Sequence, residues 1–359
     1  MAATTVTLEA LQTNDVPFEA LEDAFGPSSL GILVVKDLPA RFADLRLRLL
    51  SYASYLAQLP SDQLQALVDE KSHYELGWSH GVEALKDGQY DTMKGSFYVD
   101  CQCFYLKNPR VPVPGQPVTR GAGQNLWPSE EAIPGFRKTF EELCTLLIDI
   151  GALVAKAVDS YAEKKIEGYE KGYLENVVRT SHTPKARLLH YFPPLSRDGD
   201  SPGPESSANS AADSDEDSWC ATHLDDGCLT ALTSALFVDE ASGLRPITDA
   251  TALPKLNVLT KSPDPKAGLY IRSRGDSVVK VNIPADCIAF QTGEALEKIT
   301  GGRFKAVPHF VRGPSSNDGS KVARNTLALF MQPDLDEVID KASGLTYGKF
   351  VEMIVAKHA

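Results

Sequence analysis

The spacing of apolar residues predicts helices in the first half of the chain. Residues 40–59 and 135–162 carry apolar side chains at every third or fourth position, the period that gives a helix one buried face. The second helix follows Pro134, a favourable residue for a first turn, and would be about 40 Å long at 1.5 Å per residue. That length would let it support a whole face of a sheet. Two further helices are predicted over 18–25 and 334–358.

From residue 185 onward, the pattern changes to short apolar runs that end at turn residues. The predicted strands, which follow one upstream over 31–35, are 186–192, 228–238, 268–272, 278–283, 287–291, 304–311 and 326–331. Pro, Gly, Asp and Ser residues separate them. Many short strands with such turns are typical of a sandwich or barrel, so we expect a mainly β protein of the α+β class.

Composition narrows the class of protein. The chain has 359 residues, 43% of them hydrophobic, and a formal net charge of −12, which favours a globular protein and argues against nucleic acid as a partner. Six dispersed cysteines without C-x-x-C pairs indicate reduced thiols and a cytoplasmic location. The first residues lack the pattern of a secretory signal, and no apolar run reaches the ~18 residues that span a bilayer. We therefore expect no membrane association, and a monomer is the working expectation.

Residues 196–218 form an acidic, serine-rich segment. It contains seven serines and seven acidic residues against one basic residue, and it has no large apolar side chain. Such a segment buries too little surface to offset its conformational entropy, so we expect a disordered loop.

Two polar residues stand out directly after this segment. His223 and Asp225 are two positions apart, so on an extended strand both side chains leave the same face. An imidazole and a carboxylate aimed at one point supply two ligands of a metal site, although a single such pair also occurs in solvated turns. His309 lies in the predicted strand 304–311, where an ionisable side chain needs a partner, and it is the candidate third ligand.

A second same-face pair begins the last predicted strand. Arg324 and Thr326 are also two residues apart, and together they would offer a guanidinium and a hydroxyl to a carboxylate. A surface ion pair at the start of the strand is the plainer explanation. However, two such pairs with a strand histidine between them are difficult to explain without a shared site.

The combination of His223-x-Asp225, His309 and Arg324-x-Thr326 resembles the signature of the iron(II)- and 2-oxoglutarate-dependent dioxygenases. The closer likeness is to the isopenicillin N synthase-like branch that is common in plants. The resemblance covers roughly residues 15–335 and includes the segments 187–193, 219–232, 268–272, 289–294 and 306–311.

This resemblance implies a fold and a division of the chain. The fold would be a distorted double-stranded β-helix, or jelly roll, supported by N-terminal and central helices. The chain would consist of an N-terminal region (1–130), a catalytic core (131–335) and a C-terminal helix (336–359).

The resemblance also implies a chemistry for the two polar pairs. Iron(II) would be bound by His223, Asp225 and His309, and 2-oxoglutarate by Arg324 and Thr326. Dioxygen would be the second co-substrate, and ascorbate is a candidate reductant. A small organic molecule would be hydroxylated or desaturated, with succinate and CO2 as co-products.

Residues 190–192 would then lie at the co-substrate. His190 stands where plant members have an asparagine, and it would donate a hydrogen bond to 2-oxoglutarate. Phe192 replaces a tyrosine of the family, so one hydroxyl is missing. Phe192, Lys94 and Tyr98 are the candidates for the substrate pocket.

Three other functions stay open from the sequence. A 2-oxoglutarate-independent oxidase of the isopenicillin N synthase type would use the same triad, and Phe192 leaves room for it. A catalytically silent relative would be a binding protein with this fold, although its triad is intact. A zinc hydrolase would use two histidines and one aspartate but would leave Arg324 without a role.

Overall fold

The computed structural model describes residues 3–83, 90–111, 124–193, 220–247, 252–273, 277–313 and 321–358. In these ranges the helices are α1 (Leu8–Thr13), α2 (Phe18–Phe25), α3 (Arg41–Ala57), α4 (Ser61–Gln65), α5 (Gln102–Tyr105), α6 (Phe136–Lys165), α7 (Tyr173–Thr180), α8 (Glu294–Ile299) and α9 (Tyr347–His358). The strands are β1 (Thr4–Thr7), β2 (Ile32–Lys36), β3 (Gly77–His80), β4 (Lys94–Asp100), β5 (Lys185–Tyr191), β6 (Cys220–His223), β7 (Leu229–Thr233), β8 (Leu236–Asp239), β9 (Asn257–Leu259), β10 (Gly268–Arg272), β11 (Val278–Val281), β12 (Ile288–Thr292), β13 (His309–Arg312), β14 (Val322–Met331), β15 (Val338–Asp340) and β16 (Leu345–Thr346). The acidic segment 196–218 lies outside the described residues.

The largest sheet contains ten strands and forms the centre of the described structure. Its main order is β1-β2-β12-β7-β14-β5-β4-β3, and β8 and β9 extend it from β14. β1 and β2 are parallel, whereas the other neighbouring strands are antiparallel. The ten-residue strand β14 pairs along its length with β5, β7 and β8, which places its side chains in the middle of the sheet.

A smaller antiparallel sheet, in the order β11-β10-β13-β6, packs on one face of the large sheet. Ile271 and Val281 of the small sheet share a buried cluster with Val34 and Ala289 of the large sheet. Burial of these aliphatic side chains removes apolar surface from water and so holds the two sheets together. The predicted α+β class, with mainly antiparallel strands, is confirmed.

The long helix α6 belongs to the core on the other side of the large sheet. It has 30 residues, about 45 Å at 1.5 Å per residue, and begins one position after the predicted start. Phe140, Leu147 and Val154 on its predicted stripe are fully buried, and they belong to the same core cluster as Leu329 of β14. The helix therefore lies where the apolar period of the sequence predicted, as a support of the sheet.

The predicted strand 228–238 is divided into β7 and β8. The backbone between them, at Ser234 and Ala235, is held by Arg46 of α3. Its guanidinium donates hydrogen bonds of 2.8 and 3.0 Å to the Ser234 carbonyl and one of 2.9 Å to the Ala235 carbonyl. Because Arg46 is distant in sequence, the apolar run alone could not reveal this interruption.

Two further predictions are corrected near the end of the chain. The predicted strand 304–311 pairs with a neighbouring strand only from His309, the first residue of β13. The preceding Pro308 has no backbone N–H to donate to a pairing strand. The predicted helix 334–358 is helical only from Tyr347 onward, and the residues before it form the β15-β16 pair. Apolar spacing in so short a segment does not distinguish a small hairpin from a helix.

The described part of the chain also bears on the remaining general predictions. All six cysteines are free thiols. Among the described residues, no helix is long and apolar enough to cross a membrane. Strand β2 of the N-terminal region pairs with β12 of the predicted catalytic core, so both regions contribute to one sheet. The division at residues 130 and 335 stays a prediction.

Candidate metal and carboxylate site

The three predicted metal ligands meet where β6 and β13 pair. His223 is the last residue of β6, and it lies directly opposite His309, the first residue of β13. Asp225 follows just beyond the end of β6. Its Oδ1 atom is 3.8 Å from Nε2 of His223 and 3.8 Å from Nε2 of His309. One candidate ligand atom from each residue lies within 4.8 Å of the others, as the sequence predicted.

Hydrogen bonds hold two of these side chains in position. Nδ1 of His223 lies 2.8 Å from the Ala221 carbonyl oxygen and donates its proton there, so Nε2 is the nitrogen that carries the lone pair when the ring is neutral. Thr230 on β7 donates a hydrogen bond of 2.7 Å to Oδ2 of Asp225, which leaves Oδ1 facing both imidazoles. The Thr230 contact was not predicted from the sequence, because it depends on how β7 packs behind the site.

The two histidines differ in their protonation. Burial lowers the pKa of His309 to about 4, so this imidazole is neutral at physiological pH. Burial also acts to lower the pKa of His223, but the neighbouring Cys220 thiol and Asp225 carboxylate outweigh it and raise that pKa to about 9. The His223 side chain is 43% exposed, whereas that of His309 is 7% exposed. A metal ion would therefore have to displace a proton from His223.

This donor set fits iron(II). Ligands at right angles and about 2.1 Å from a metal are separated by ~3 Å, so small side-chain rotations would bring the observed atoms onto one ion. Two imidazoles and one carboxylate that leave the other positions open are the donor set of non-haem iron(II) oxygenases. Oxygen-rich sites for magnesium or calcium and thiolate sites for zinc have different donors, whereas catalytic zinc sites with two histidines and a carboxylate share this set.

Arg324 and Thr326 line the same cavity as the triad. This cavity has a volume of about 990 Å³ and lies between the two sheets. Both residues are on β14, where alternate side chains share a face, and they are only 6% and 8% exposed. A buried guanidinium beside a hydroxyl is suited to a carboxylate, because it offers a planar fork of donors and one further hydrogen bond.

Tyr191 is the third side chain at this carboxylate site. It lies opposite Arg324 in the pairing of β5 with β14, and the Arg324 guanidinium carbon is 4.9 Å from the centre of its ring. Along β5 the residues that line the cavity are Arg187, Leu189 and Tyr191. Alternation therefore turns the side chains between and after them to the other face.

The predicted roles of His190 and Phe192 are corrected by this alternation. His190 is 1% exposed and points into the core, where its Nδ1 lies 2.8 Å from Oδ1 of Asn325. The ring of Phe192 packs against that of His190, with 4.6 Å between their centres, and neither residue lines the cavity. The aromatic side chain of this strand that lies against Arg324 in the cavity is Tyr191, one position before Phe192.

Lys94 and Tyr98 also lie away from the cavity wall. Lys94 is 6% exposed and forms ion pairs of 2.9 Å with Glu83 and 3.0 Å with Asp91. The ring of Tyr98 lies against the guanidinium of Arg187, 4.9 Å from its carbon, and Arg187 itself is paired with Glu83. The predicted roles of Lys94 and Tyr98 in the substrate pocket are therefore corrected: both belong to an ionic cluster on β4, beside β5, and neither lines the cavity.

Comparison with solved structures shows that the chain has the fold of the 2-oxoglutarate- and iron(II)-dependent oxygenases. It is similar to a protein from Caulobacter crescentus provisionally described as a 2OG-Fe(II) oxygenase family protein, with a TM-score of 0.64, 18% identity, and 100% of this chain and 99% of that chain covered. It is also similar to T7H of Neurospora crassa in complex with alpha-KG and thymine, with a TM-score of 0.64, 16% identity and coverage of 99% and 97%.

A plant protein shows a comparable likeness. The dioxygenase for auxin oxidation in rice matches with a TM-score of 0.57, 14% identity, and coverage of 99% of this chain and 96% of that chain. No family model and no curated protein sequence matches the chain. Bacterial, fungal and plant structures thus share the fold, and assignment to the plant-type branch stays a prediction.

Proposed function

We propose that this protein is a non-haem iron(II)- and 2-oxoglutarate-dependent oxygenase that hydroxylates or desaturates a small organic molecule. The observation that carries the proposal is the single cavity that contains both the His223, Asp225 and His309 triad and the Arg324 and Thr326 pair. The fold shared with oxygenases of this class supports the proposal. A volume of about 990 Å³ is ample for 2-oxoglutarate together with a small substrate.

The same proposal includes the finer features of the fold. Two facing antiparallel sheets with the site between them support a distorted double-stranded β-helix, with residues 131–335 as its catalytic core. Residues 1–130 would contribute supporting helices and one edge of the large sheet. Residues 336–359 would be a C-terminal segment that contains the β15-β16 pair and helix α9. A monomer in the cytoplasm that binds neither nucleic acid nor membrane is the form that we propose.

Each residue of the site has a distinct task in this proposal. His223, Asp225 and His309 would hold iron(II), and Arg324 and Thr326, with Tyr191, would bind the distal carboxylate of 2-oxoglutarate. Iron(II) with 2-oxoglutarate and dioxygen supplies an oxidising reaction in which 2-oxoglutarate becomes succinate and CO2. The apolar cavity wall would exclude water from the reacting groups and orient the substrate.

Tyr191 removes the main reason for a 2-oxoglutarate-independent oxidase. That alternative depended on a missing hydroxyl at Phe192, whereas the Tyr191 side chain lies against Arg324 inside the cavity. The proposed carboxylate site therefore contains an arginine, a threonine and a tyrosine. A co-substrate with a carboxylate, such as 2-oxoglutarate, explains why these three side chains lie together.

A succinate assay tests this function. The protein is loaded with iron(II) without oxygen, mixed with 2-oxoglutarate and a library of small molecules, and then exposed to air. We expect succinate, measured by mass spectrometry, only when iron(II), 2-oxoglutarate and dioxygen are all present, and more of it when a substrate is included. Oxygen consumption that is independent of 2-oxoglutarate would favour the oxidase. Failure to bind iron(II) would overturn the proposal.

Iron(II) affinity is expected to depend on pH through His223. The pKa of this imidazole is raised to about 9 in the metal-free protein, so below pH 9 each bound metal displaces one proton. Affinity should fall about tenfold for each pH unit below 9 and level off above it. Anaerobic calorimetry in two buffers of different ionisation enthalpy at pH 7.5 should show the release of about one proton.

Cys220→Ala is the matched control for this pH dependence. The thiol of Cys220 lies 3.9 Å from Nδ1 of His223 and helps to raise its pKa. The variant should release fewer protons at pH 7.5 and show a flatter pH profile. An unchanged proton count in the variant would mean that Cys220 does not control the protonation of His223.

A further inference from the structure

Gln291 is a buried amide directly behind one of the proposed metal ligands. It lies on β12 in the middle of the large sheet and is fully buried. Its backbone is paired on both sides, with Ile32 and with Thr230. The residue next to it on the same face, Ala289, belongs to the apolar cluster between the two sheets. An amide in such a place is costly unless it forms hydrogen bonds.

The Gln291 side chain makes its contact with His309. Its terminal amide nitrogen is at hydrogen-bond distance from Nδ1 of His309, and its Oε1 has no hydrogen-bond partner among the residues that the structure describes. Gln291 does not line the cavity, so its amide can influence the site only through the His309 ring. The Val307 carbonyl oxygen, 3.3 Å away, also faces Nδ1 of His309.

The orientation of this amide determines which nitrogen of His309 carries the proton. When the amide nitrogen donates to Nδ1, the imidazole proton sits on Nε2, the atom that faces Asp225. An Nε2 that carries a proton cannot bind a metal. When the amide turns by 180°, Oε1 accepts a hydrogen bond from Nδ1–H, and the Nε2 lone pair becomes available.

The turned amide is the orientation that suits the Val307 carbonyl. It gives the His309 contact to Oε1 in place of the amide nitrogen, and it makes the Val307 carbonyl, which already faces Nδ1, a second acceptor for Nδ1–H. His309 would then match His223, whose Nδ1 faces the Ala221 carbonyl. Both imidazoles would present Nε2 lone pairs to the same point.

We propose that Gln291 is the positioning residue of His309: its amide oxygen holds the ring in the tautomer and orientation that bind the metal. This inference rests on the proposed iron site but adds a residue outside the cavity. Hydrogen-bond partners of this kind typically change metal affinity 10- to 100-fold when they are lost.

Two substitutions of nearly the same size test the proposal by anaerobic iron(II) titration. Gln291→Met removes both polar atoms, and we expect iron(II) affinity to fall about 10- to 100-fold. The ionised carboxylate of Gln291→Glu accepts from Nδ1–H and cannot donate, so we expect affinity within about threefold of the wild type or tighter. Gln332→Met is the matched control, because Gln332 is also buried but its amide contacts Asp226. This control should keep its affinity for iron(II).

The tautomer of His309 can be measured directly, and a variant that only loosens the packing around the ring would not change it. In histidine-labelled protein loaded with zinc(II), nuclear magnetic resonance should show a protected Nδ1-bound proton on His309 in the wild type and in Gln291→Glu. The same proton should exchange rapidly in Gln291→Met. Thermal unfolding of the metal-free variants shows whether each one is folded.

The outcomes separate this proposal from the proposed function. If the wild type binds no iron(II), both the proposed oxygenase function and the proposed role of Gln291 are overturned. A wild type that binds iron(II), with Gln291→Met equally tight or Gln291→Glu as weak as Gln291→Met, would leave the oxygenase site intact and overturn the role of Gln291. If Gln291→Met does not fold, an unprotected Nδ1 proton in the zinc(II)-loaded wild type would overturn it as well.

Discussion

Asp225→Ala is expected to abolish iron(II) binding and succinate formation while the protein stays folded. The carboxylate of Asp225 supplies the only negative charge of the triad, and its Oδ1 lies 3.8 Å from both ligand nitrogens. The loss of a direct ligand should exceed the 10- to 100-fold effect typical of the residues that support ligands, so we expect affinity to fall by at least about 100-fold. Anaerobic titration measures the affinity, and the succinate assay measures turnover.

The neighbouring aspartate is the control for this variant. Asp226 has the same charge but accepts a hydrogen bond of 3.3 Å from Gln332, and it is not part of the triad. Asp226→Ala should bind iron(II) within a few-fold of the wild type. His223→Ala and His309→Ala should resemble Asp225→Ala. Iron(II) binding that survives in Asp225→Ala, or that is lost equally in Asp226→Ala, would contradict the triad.

Arg324→Met is expected to remove 2-oxoglutarate binding without removing iron(II) binding. Arg324 is 6% exposed, and a buried charge pair that loses one member typically weakens binding by about 2–5 kcal/mol. The affinity for 2-oxoglutarate should therefore fall by ~30-fold or more, since 1.4 kcal/mol corresponds to a factor of ten. Calorimetry with the iron(II)-loaded protein measures this affinity, and the separate titration with iron(II) should be unchanged.

Two further variants make the Arg324 result specific. Tyr191→Phe removes one hydroxyl beside the guanidinium, and we expect a smaller loss of 2-oxoglutarate affinity, on the order of tenfold. Lys280→Met removes another cation that lines the cavity, but from an exposed position on β11, and it should have little effect. Equal losses in Arg324→Met and Lys280→Met would indicate a general effect of cavity charge. No loss in Arg324→Met would exclude Arg324 as the carboxylate site.

The metal ligands and the Arg324 and Thr326 pair could be predicted from the sequence because each prediction depended on a local rule. Arg324 and Thr326 share a face by strand alternation alone, and this rule is correct in β14. His309 was identified because a strand histidine needs a partner, and β13 does pair it with His223. Neither inference required knowledge of which strands were neighbours.

The face of β5 could not be predicted in the same way. Leu188 and Leu189 are both apolar and both largely buried, so the hydrophobic pattern does not reveal which face of this strand meets the cavity. If the face of β5 is assigned wrongly by one residue, His190 and Phe192 are placed in the cavity instead of Tyr191. Contacts such as Thr230 with Asp225 depend on sheet order and were also inaccessible. The signal that could have identified Tyr191 is its register opposite Arg324, which only the paired strands provide.

The direct pairing of His223 with His309 links occupancy of the site to the integrity of the small sheet. Strand β6 has four residues and stands at the end of the β11-β10-β13-β6 order, so in the described structure one neighbour holds it. A metal ion bound by both histidines would cross-link β6 to β13. A ligand present at 100 times its dissociation constant stabilises the form that binds it by about 2.7 kcal/mol. Proteolysis at β6 should therefore be slower in the metal-bound protein than in the metal-free protein.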